Sequence, residues 1–200
     1  MKTDKNKLNL VLFGGPGSGK GTQSERIIDK YGLHHISTGE VLRKHIHDDT
    51  ELGQIARKYI DDGQLIPDDL MINILEDVLD KEAKNKPGVI FDGFPRTIPQ
   101  AIALEEMLQK RGTDVHAVIG LEVPDEELVE RMLNRGKMTG RADDNIDTIH
   151  KRLDVYHHQT TPLRDYYIRE NKYKQIDGSK DVDTIFGSIQ KHIDNAASKI

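Results

Sequence analysis

A glycine-rich run near the start of the chain, Gly14-Gly15-Pro16-Gly17-Ser18-Gly19-Lys20-Gly21-Thr22, has the residue types and spacing of a phosphate cradle. Glycines lack Cβ atoms, so the backbone can curl and turn successive N–H groups inward toward phosphate oxygens. A helix beginning near Lys20 adds the positive end of its dipole, and Lys20 adds a mobile full charge. The spacing Gly14-x-x-x-x-Gly19-Lys20 fits the phosphate-loop pattern, except that Gly21 follows the lysine and the hydroxyl comes one residue later, at Thr22. The largely apolar stretch 8–13 directly before the loop supplies the buried strand that this motif requires.

Moving a phosphoryl group asks little covalent chemistry of a protein. It asks for alignment of donor and acceptor, and for positive charge around the transferring oxygens. Candidates are spread along the chain: Arg43, Arg96, Arg131, Arg135, Arg141 and Arg152. Arg131 and Arg135 are spaced i,i+4 and share one helix face. Planar guanidinium forks suit two-point phosphate contacts. Asp92 closes the apolar run Val89-Ile90-Phe91, where a carboxylate beside a phosphate loop can anchor Mg²⁺ through water. The nine histidines, among them His34-His35, His45, His47 and His157-His158, lack the company of a zinc site and are read as solvated or helix-terminal. Asp61-Asp62 and Asp68-Asp69 are read as solvated faces and helix starts.

These residues must be positioned by strands and helices in alternation. Strands are expected at 8–13, 35–37, 89–92, 117–123 and 173–176. Gly32 stops the first helix, and Leu52, Ile55, Ala56, Tyr59 and Ile60 recur on one helical face closed by Gly63. Pro67 opens a helix burying Leu70, Ile74, Leu75 and Val78. Pro124 opens one running through Leu128 and Met132 to Gly136. Asp143 or Asp144 caps one carrying Ile146, Ile149 and Leu153. Pro162 opens the next, and Val182, Phe186, Ile189 and Ile193 face inward on the last. This order implies an α/β fold, a five-stranded parallel sheet flanked by helices, with ligands beyond the carboxyl ends of the strands. Two stretches read as insertions over the core: residues 37–66, with two helices, and 134–144, a short polar flap punctuated by Gly136 and Gly140.

Composition narrows the class. The chain has 200 residues, one domain's worth, with 36% hydrophobic and 32% charged residues and a net charge of −5. A mildly acidic total argues against a general nucleic-acid or membrane-surface binder. Cysteine is absent, which excludes disulfides and thiolate metal sites and suits a reducing interior. No apolar run is long enough to span a membrane, and the polar start Met1-Lys2-Thr3-Asp4-Lys5-Asn6-Lys7 lacks the apolar core of a signal peptide. A cytoplasmic protein is expected. No exposed apolar helix face demands a partner, so a monomer is expected as well.

Four segments in this order resemble the adenylate kinase family of nucleoside-monophosphate kinases: the glycine-rich run through Gln23, Ile36-Ser37-Thr38-Gly39-Glu40-Val41-Leu42-Arg43, Asp92-Gly93-Phe94-Pro95-Arg96-Thr97-Ile98-Pro99-Gln100, and Gly140-Arg141-Ala142-Asp143-Asp144. The glycine after the phosphate-loop lysine is what this family shows. The resemblance implies a P-loop core with two moving parts, a monophosphate-binding insertion (37–66) and a short lid (134–144). It implies reversible transfer of the γ-phosphoryl group from Mg·ATP to AMP, giving two ADP. ATP would lie along Gly17, Ser18, Gly19, Lys20, Gly21 and Thr22, with Arg131 beside its adenine and backbone help near Lys180. AMP would sit under the insertion. Thr38 and Arg43 would hold its base region and phosphate; Gln64, Leu65, Ile66, the Gly93-Phe94-Pro95 turn and the Gln100 amide would read adenine; Arg96 would grip the phosphate. Lys20, Arg96, Arg135, Arg141 and Arg152 would close around the transferring group, with Asp92 holding Mg²⁺ through water. A zinc-bearing long lid is not expected, because the segment is short and cysteine is absent. A UMP/CMP kinase is the nearest alternative, but pyrimidine-specific relatives usually carry alanine where Thr38 stands and lack the Thr97-Ile98-Pro99-Gln100 run. A guanine-nucleotide switch would need an Asn-Lys-x-Asp reader, which none of the Asn-Lys pairs supplies. A catalytically silent ATP-binding scaffold is disfavoured because every expected charged group is present.

Overall fold

The computed structural model describes residues 7–83 and 85–200; the polar start as far as Asn6 lies outside the described residues. Five short runs, the central three mostly apolar, form strands β1 (Leu8–Gly14), β2 (His34–Ser37), β3 (Gly88–Asp92), β4 (Ala117–Glu122) and β5 (Tyr173–Asp177). They pair in the order β2-β3-β1-β4-β5, and every pair is parallel. Parallel neighbours need a crossover, and helices supply it. These are α1 (Lys20–Tyr31), α2 (Thr38–His47), α3 (Glu51–Asp61), α4 (Asp68–Glu82), α5 (Ile98–Lys110), α6 (Asp125–Thr139), α7 (Ile146–Val155), α8 (Pro162–Arg169) and α9 (Val182–Ala197).

Helices cover both faces of the sheet, so the central strands are buried almost continuously and are mostly apolar rather than alternating. Leu10 and Leu12 of β1 point to the face covered by α1 and α9, where Ile27, Ile185, Ile189 and Ile193 are buried. Val11 and Phe13 point to the other face, against Leu75, Leu79, Leu104, Leu108, Leu163 and Tyr167 of α4, α5 and α8. A smaller cluster of Leu128, Met132, Ile149 and Leu153 joins α6 to α7. None of the described helices is long and apolar enough to cross a membrane.

The structure corrects several boundaries. On α3, Ile55 is exposed although it continues the apolar stripe. The buried residues of α4 are Met71, Leu75 and Leu79, while Leu70, Ile74 and Val78 are half-buried beside them. On α9, Ile185 takes the buried place expected for Val182, which is exposed. The helix opened by Pro124 does not stop at Gly136. It runs to Thr139 and ends at Gly140 in the left-handed region, φ 68°. Gly136 serves packing instead: a Cβ there would lie 2.9 Å from Asp144. The cap of α7 is Asn145, whose side chain accepts from the Thr148 N–H at 3.0 Å. Asp143 and Asp144 are drawn away to arginines. Pro162 opens α8 without a break from α7, because one π-helical turn (Tyr156–Thr160) joins them. Proline has no N–H to continue the regular ladder, and the backbone widens so that Thr161 N donates to Tyr156 O at 2.8 Å.

Candidate active site

One cavity of about 620 Å³ opens over the carboxyl ends of β1 and β3. Its floor is the glycine-rich loop. Gly17 and Gly19 take φ values of 82° and 95°, which side-chain-bearing residues rarely adopt. Gly19 is the N-cap of α1, so no side chain caps the first turn, and no acidic residue stands in it. The first-turn N–H groups and the helix dipole are therefore left at the cavity without a capping side chain. Lys20 Nζ donates to the carbonyls of Gly14 and Gly15, each at 2.9 Å. Burial lowers its pKa to about 8; Asp92 opposes the fall, while Arg96, Arg152 and Arg135 add to it.

The turn after β3 forms one wall. Gly93 sits at φ 77°, and a Cβ there would lie 2.8 Å from Thr38 Oγ1 and 2.9 Å from Arg96 Nη2. Only glycine lets those two side chains close in. Both donate to the Gly93 carbonyl at 2.8 Å, Thr38 through its hydroxyl and Arg96 through Nε. Burial and Arg152 push the Arg96 pKa down to about 10. Asp92 ends β3, with its carboxylate 3.5 Å from His35 Nε2. Burial would raise the Asp92 pKa, but the His35 contact and the Lys20 charge outweigh it and hold the group below its ordinary range. The opposite wall comes from the 37–66 segment, in which α2 and α3 form the expected helix pair. It brings Thr38, Arg43, Gln64, Leu65 and Ile66 to the cavity, facing Gln100 at the start of α5.

The third wall is the α6–α7 hairpin. Arg131, Arg135, Arg141 and Arg152 all line the cavity. Arg131 donates to Gly178 O at 2.9 Å and reaches Ser18 O at 3.5 Å, lying across the outer edge of the loop. Lys180 stands beside it and pairs with Asp177 at 3.8 Å. Arg135 grips Asp144 at two points, 2.7 and 2.8 Å. Arg152 binds Asp144 at 2.8 Å and Asp143 at 2.9 Å. Burial would lower the pKa of Arg135, yet the hydrogen bond and charge of Asp144 raise it. Arg141 and Arg43 have no such partner among the described residues; burial lowers both, helped by repulsion from Arg141 on Arg43 and from Arg135 on Arg141. The cations scattered through the sequence thus converge on one space.

The family profile described as adenylate kinase matches residues 12–172. The chain belongs to the adenylate kinase family. A protein named adenylate kinase from Bacteroides thetaiotaomicron is 60% identical over 94% of this chain and 98% of its own length. One from Parabacteroides distasonis is 58% identical over the same shares of both chains. One from Porphyromonas gingivalis is 51% identical over 94% of this chain and 96% of its own.

Of the adenylate kinase residues expected here, Phe94 alone does not reach the cavity; it is buried beneath the turn, in the core. Sequence reasoning missed others. Tyr156 and Thr160 of the π-turn line the cavity. Asp143 and Asp144, expected as a helix cap, are the buried counter-ions of Arg135 and Arg152. Asp68, read as a solvated helix start, is half-buried and bonded to Gln100 at 2.7 Å. His35, read as solvated, lies against Asp92. A pairing of this kind between segments far apart in the chain leaves no periodic signal.

Proposed function

We propose that the cavity holds ATP and AMP tail to tail, so that family activity, reversible phosphoryl transfer between ATP and AMP to give two ADP, takes place between the phosphate loop and the α6–α7 hairpin. The observation that carries this reading is a single cavity lined at one end by the uncapped α1 terminus and Lys20, at the other by Thr38, Arg43 and Gln100, with arginines between. The ATP phosphates fit the backbone N–H groups of residues 17–22 and the Lys20 ammonium, and its adenine fits the space beside Arg131 and Lys180. The AMP phosphate fits Arg43 and Arg96. Its base fits Thr38, the backbone of 64–66, the Gly93–Pro95 turn and the Gln100 amide.

The AMP phosphate oxygen attacks the γ-phosphorus in line, and the ADP oxygen leaves. No general base is required, because the attacking oxygen is already anionic at neutral pH. Arg96, Arg135, Arg141 and Arg152 stabilise the charge on the equatorial oxygens. The residues fit a Mg²⁺ ion that keeps most of its water shell: Asp92 is one ionised carboxylate close to Lys20 and the loop. When bound with ATP, Mg²⁺ neutralises charge on the phosphate oxygens. The 37–66 segment and the α6–α7 hairpin, with its turn at 140–145, are the parts that close. Closure excludes water, which would otherwise accept the phosphoryl group. The protein is expected to act as a cytoplasmic monomer.

The test is direct. The protein is mixed with Mg·ATP and each nucleoside monophosphate in turn, and ADP is measured. AMP is expected to be the best acceptor by a wide margin; equal or faster turnover with UMP or CMP would assign the site to pyrimidines.

A further inference from the structure

Asp68 opens α4, behind the cavity rather than on its wall. Its Oδ1 accepts two hydrogen bonds, from Gln100 Nε2 at 2.7 Å and from the Thr97 hydroxyl at 3.0 Å. That hydroxyl also accepts from Gln100 N at 3.3 Å, which fixes its rotor. On the other side, Gln100 Oε1 accepts from the Arg96 backbone N–H at 2.8 Å. A carboxylate can only accept and a backbone N–H can only donate. The amide of Gln100 is therefore held in one orientation by two partners, neither of which can change role. One hydrogen on its nitrogen and one lone pair on its oxygen stay free, and the residue lines the acceptor end of the cavity.

We propose that Asp68 determines the base specificity of the acceptor site by locking the Gln100 amide for a 6-amino purine and against a 6-oxo purine. This rests on the reading of Gln100 as the group that meets the acceptor base. Adenine presents a donor at N6 and an acceptor at N1, which suit an amide oxygen and an amide nitrogen respectively. Hypoxanthine and guanine present the reverse, an acceptor at O6 and a donor at N1. A free glutamine reads either edge by turning over its amide. Here the turned amide would set its oxygen against the Asp68 carboxylate and its nitrogen against the Arg96 N–H. Both native hydrogen bonds would be lost and two like groups opposed, so discrimination comes from a built-in penalty on the wrong base.

The experiment measures kcat/KM for AMP and for inosine monophosphate, a purine of the same size with the reversed edge, at saturating Mg·ATP. In Asp68→Ala the AMP-over-IMP ratio is expected to fall about tenfold, the worth of one hydrogen bond to a charged group. Asp68→Asn, which can donate to a turned-over Gln100, is expected to shift the ratio the same way and serves if the alanine variant fails to fold. A loss of activity that is equal for both acceptors, with the ratio unchanged, overturns the proposal and leaves Asp68 a purely structural residue. Gln100→Ala separates the underlying reading: if it leaves the ratio at the wild-type value, Gln100 does not meet the base. If it collapses the ratio while both Asp68 variants keep it, the lock alone is wrong.

Discussion

The core and the α6–α7 hairpin each present cations to the same cavity, but in opposite electrostatic states. Lys20 and Arg96, on the core, rest mainly on backbone carbonyls, and burial drives their pKa values down to about 8 and about 10. Arg135, on the hairpin, holds a fully buried carboxylate, and its pKa rises. The core keeps these cations short of counter-charge, because Asp92 offsets only part of what burial and the neighbouring arginines cost them. Around Asp143 and Asp144 the hairpin neutralises the charge of Arg135 and Arg152 before any ligand arrives, and Arg141 in its turn is the exception. The difference fits the tasks proposed for them: a fixed floor can be strained toward its ligand, whereas a part proposed to close and reopen must be stable in both positions.

The largest expected effect lies on the core. Arg96→Ala and Lys20→Met should each lower turnover by roughly 10²–10³ without disturbing the fold, as circular dichroism and steady-state rates would show. Near-normal turnover would break the comparison at its root. The second effect has the opposite sign in stability. Lys20 is a cation whose folded pKa, about 8, lies below its ordinary 10.5, so the unfolded chain binds more protons between those values. Stability of the ligand-free protein should therefore rise as pH climbs through this window. Lys20→Met should remove that slope and gain at most about 3 kcal/mol at neutral pH, read by urea titration. ATP binding should also weaken above about pH 8, with proton uptake measurable by calorimetry in buffers of different ionisation enthalpy.

On the hairpin, Asp144→Ala should cost about 2–3 kcal/mol, because it strands Arg135 and leaves Arg152 with Asp143 alone as its counter-charge. Partial exposure of both arginines keeps the figure at the lower end. A neutral outcome would mean that the hairpin is no better compensated than the core. The smallest effect is at the surface. Lys151 of α7 pairs with Asp62 at the end of α3, both half exposed. Lys151→Ala should change stability by less than about 1 kcal/mol, which unfolding curves at low and high salt would show.

Much of the site was legible because loops that bind phosphate need glycines at fixed spacing, and a missing Cβ is visible in sequence. Gly17, Gly19 and Gly93 all take backbone conformations that demand them. Gly136 was misread as a helix stop, since packing against Asp144 demands glycine just as a stop does. The π-turn was invisible because Pro162 reads equally well as the start of a separate helix. Asp68 and Asp69 look alike as a pair at a helix start, yet one is half-buried against Gln100 and the other exposed.

By itself the sequence determined the order of strands and helices, the phosphate cradle, and the family of the chain. Those follow from local periodicity, backbone freedom and motif spacing, all properties of neighbouring residues. Only the tertiary structure decided which carboxylate serves which cation or amide. Asp144 meets Arg152, Asp92 meets His35 and Asp68 meets Gln100 across gaps in sequence, because the fold brings their separate elements together at the cavity. Burial there strengthens each interaction between charges and leaves few partners within reach, so the three-dimensional arrangement fixes the electrostatics.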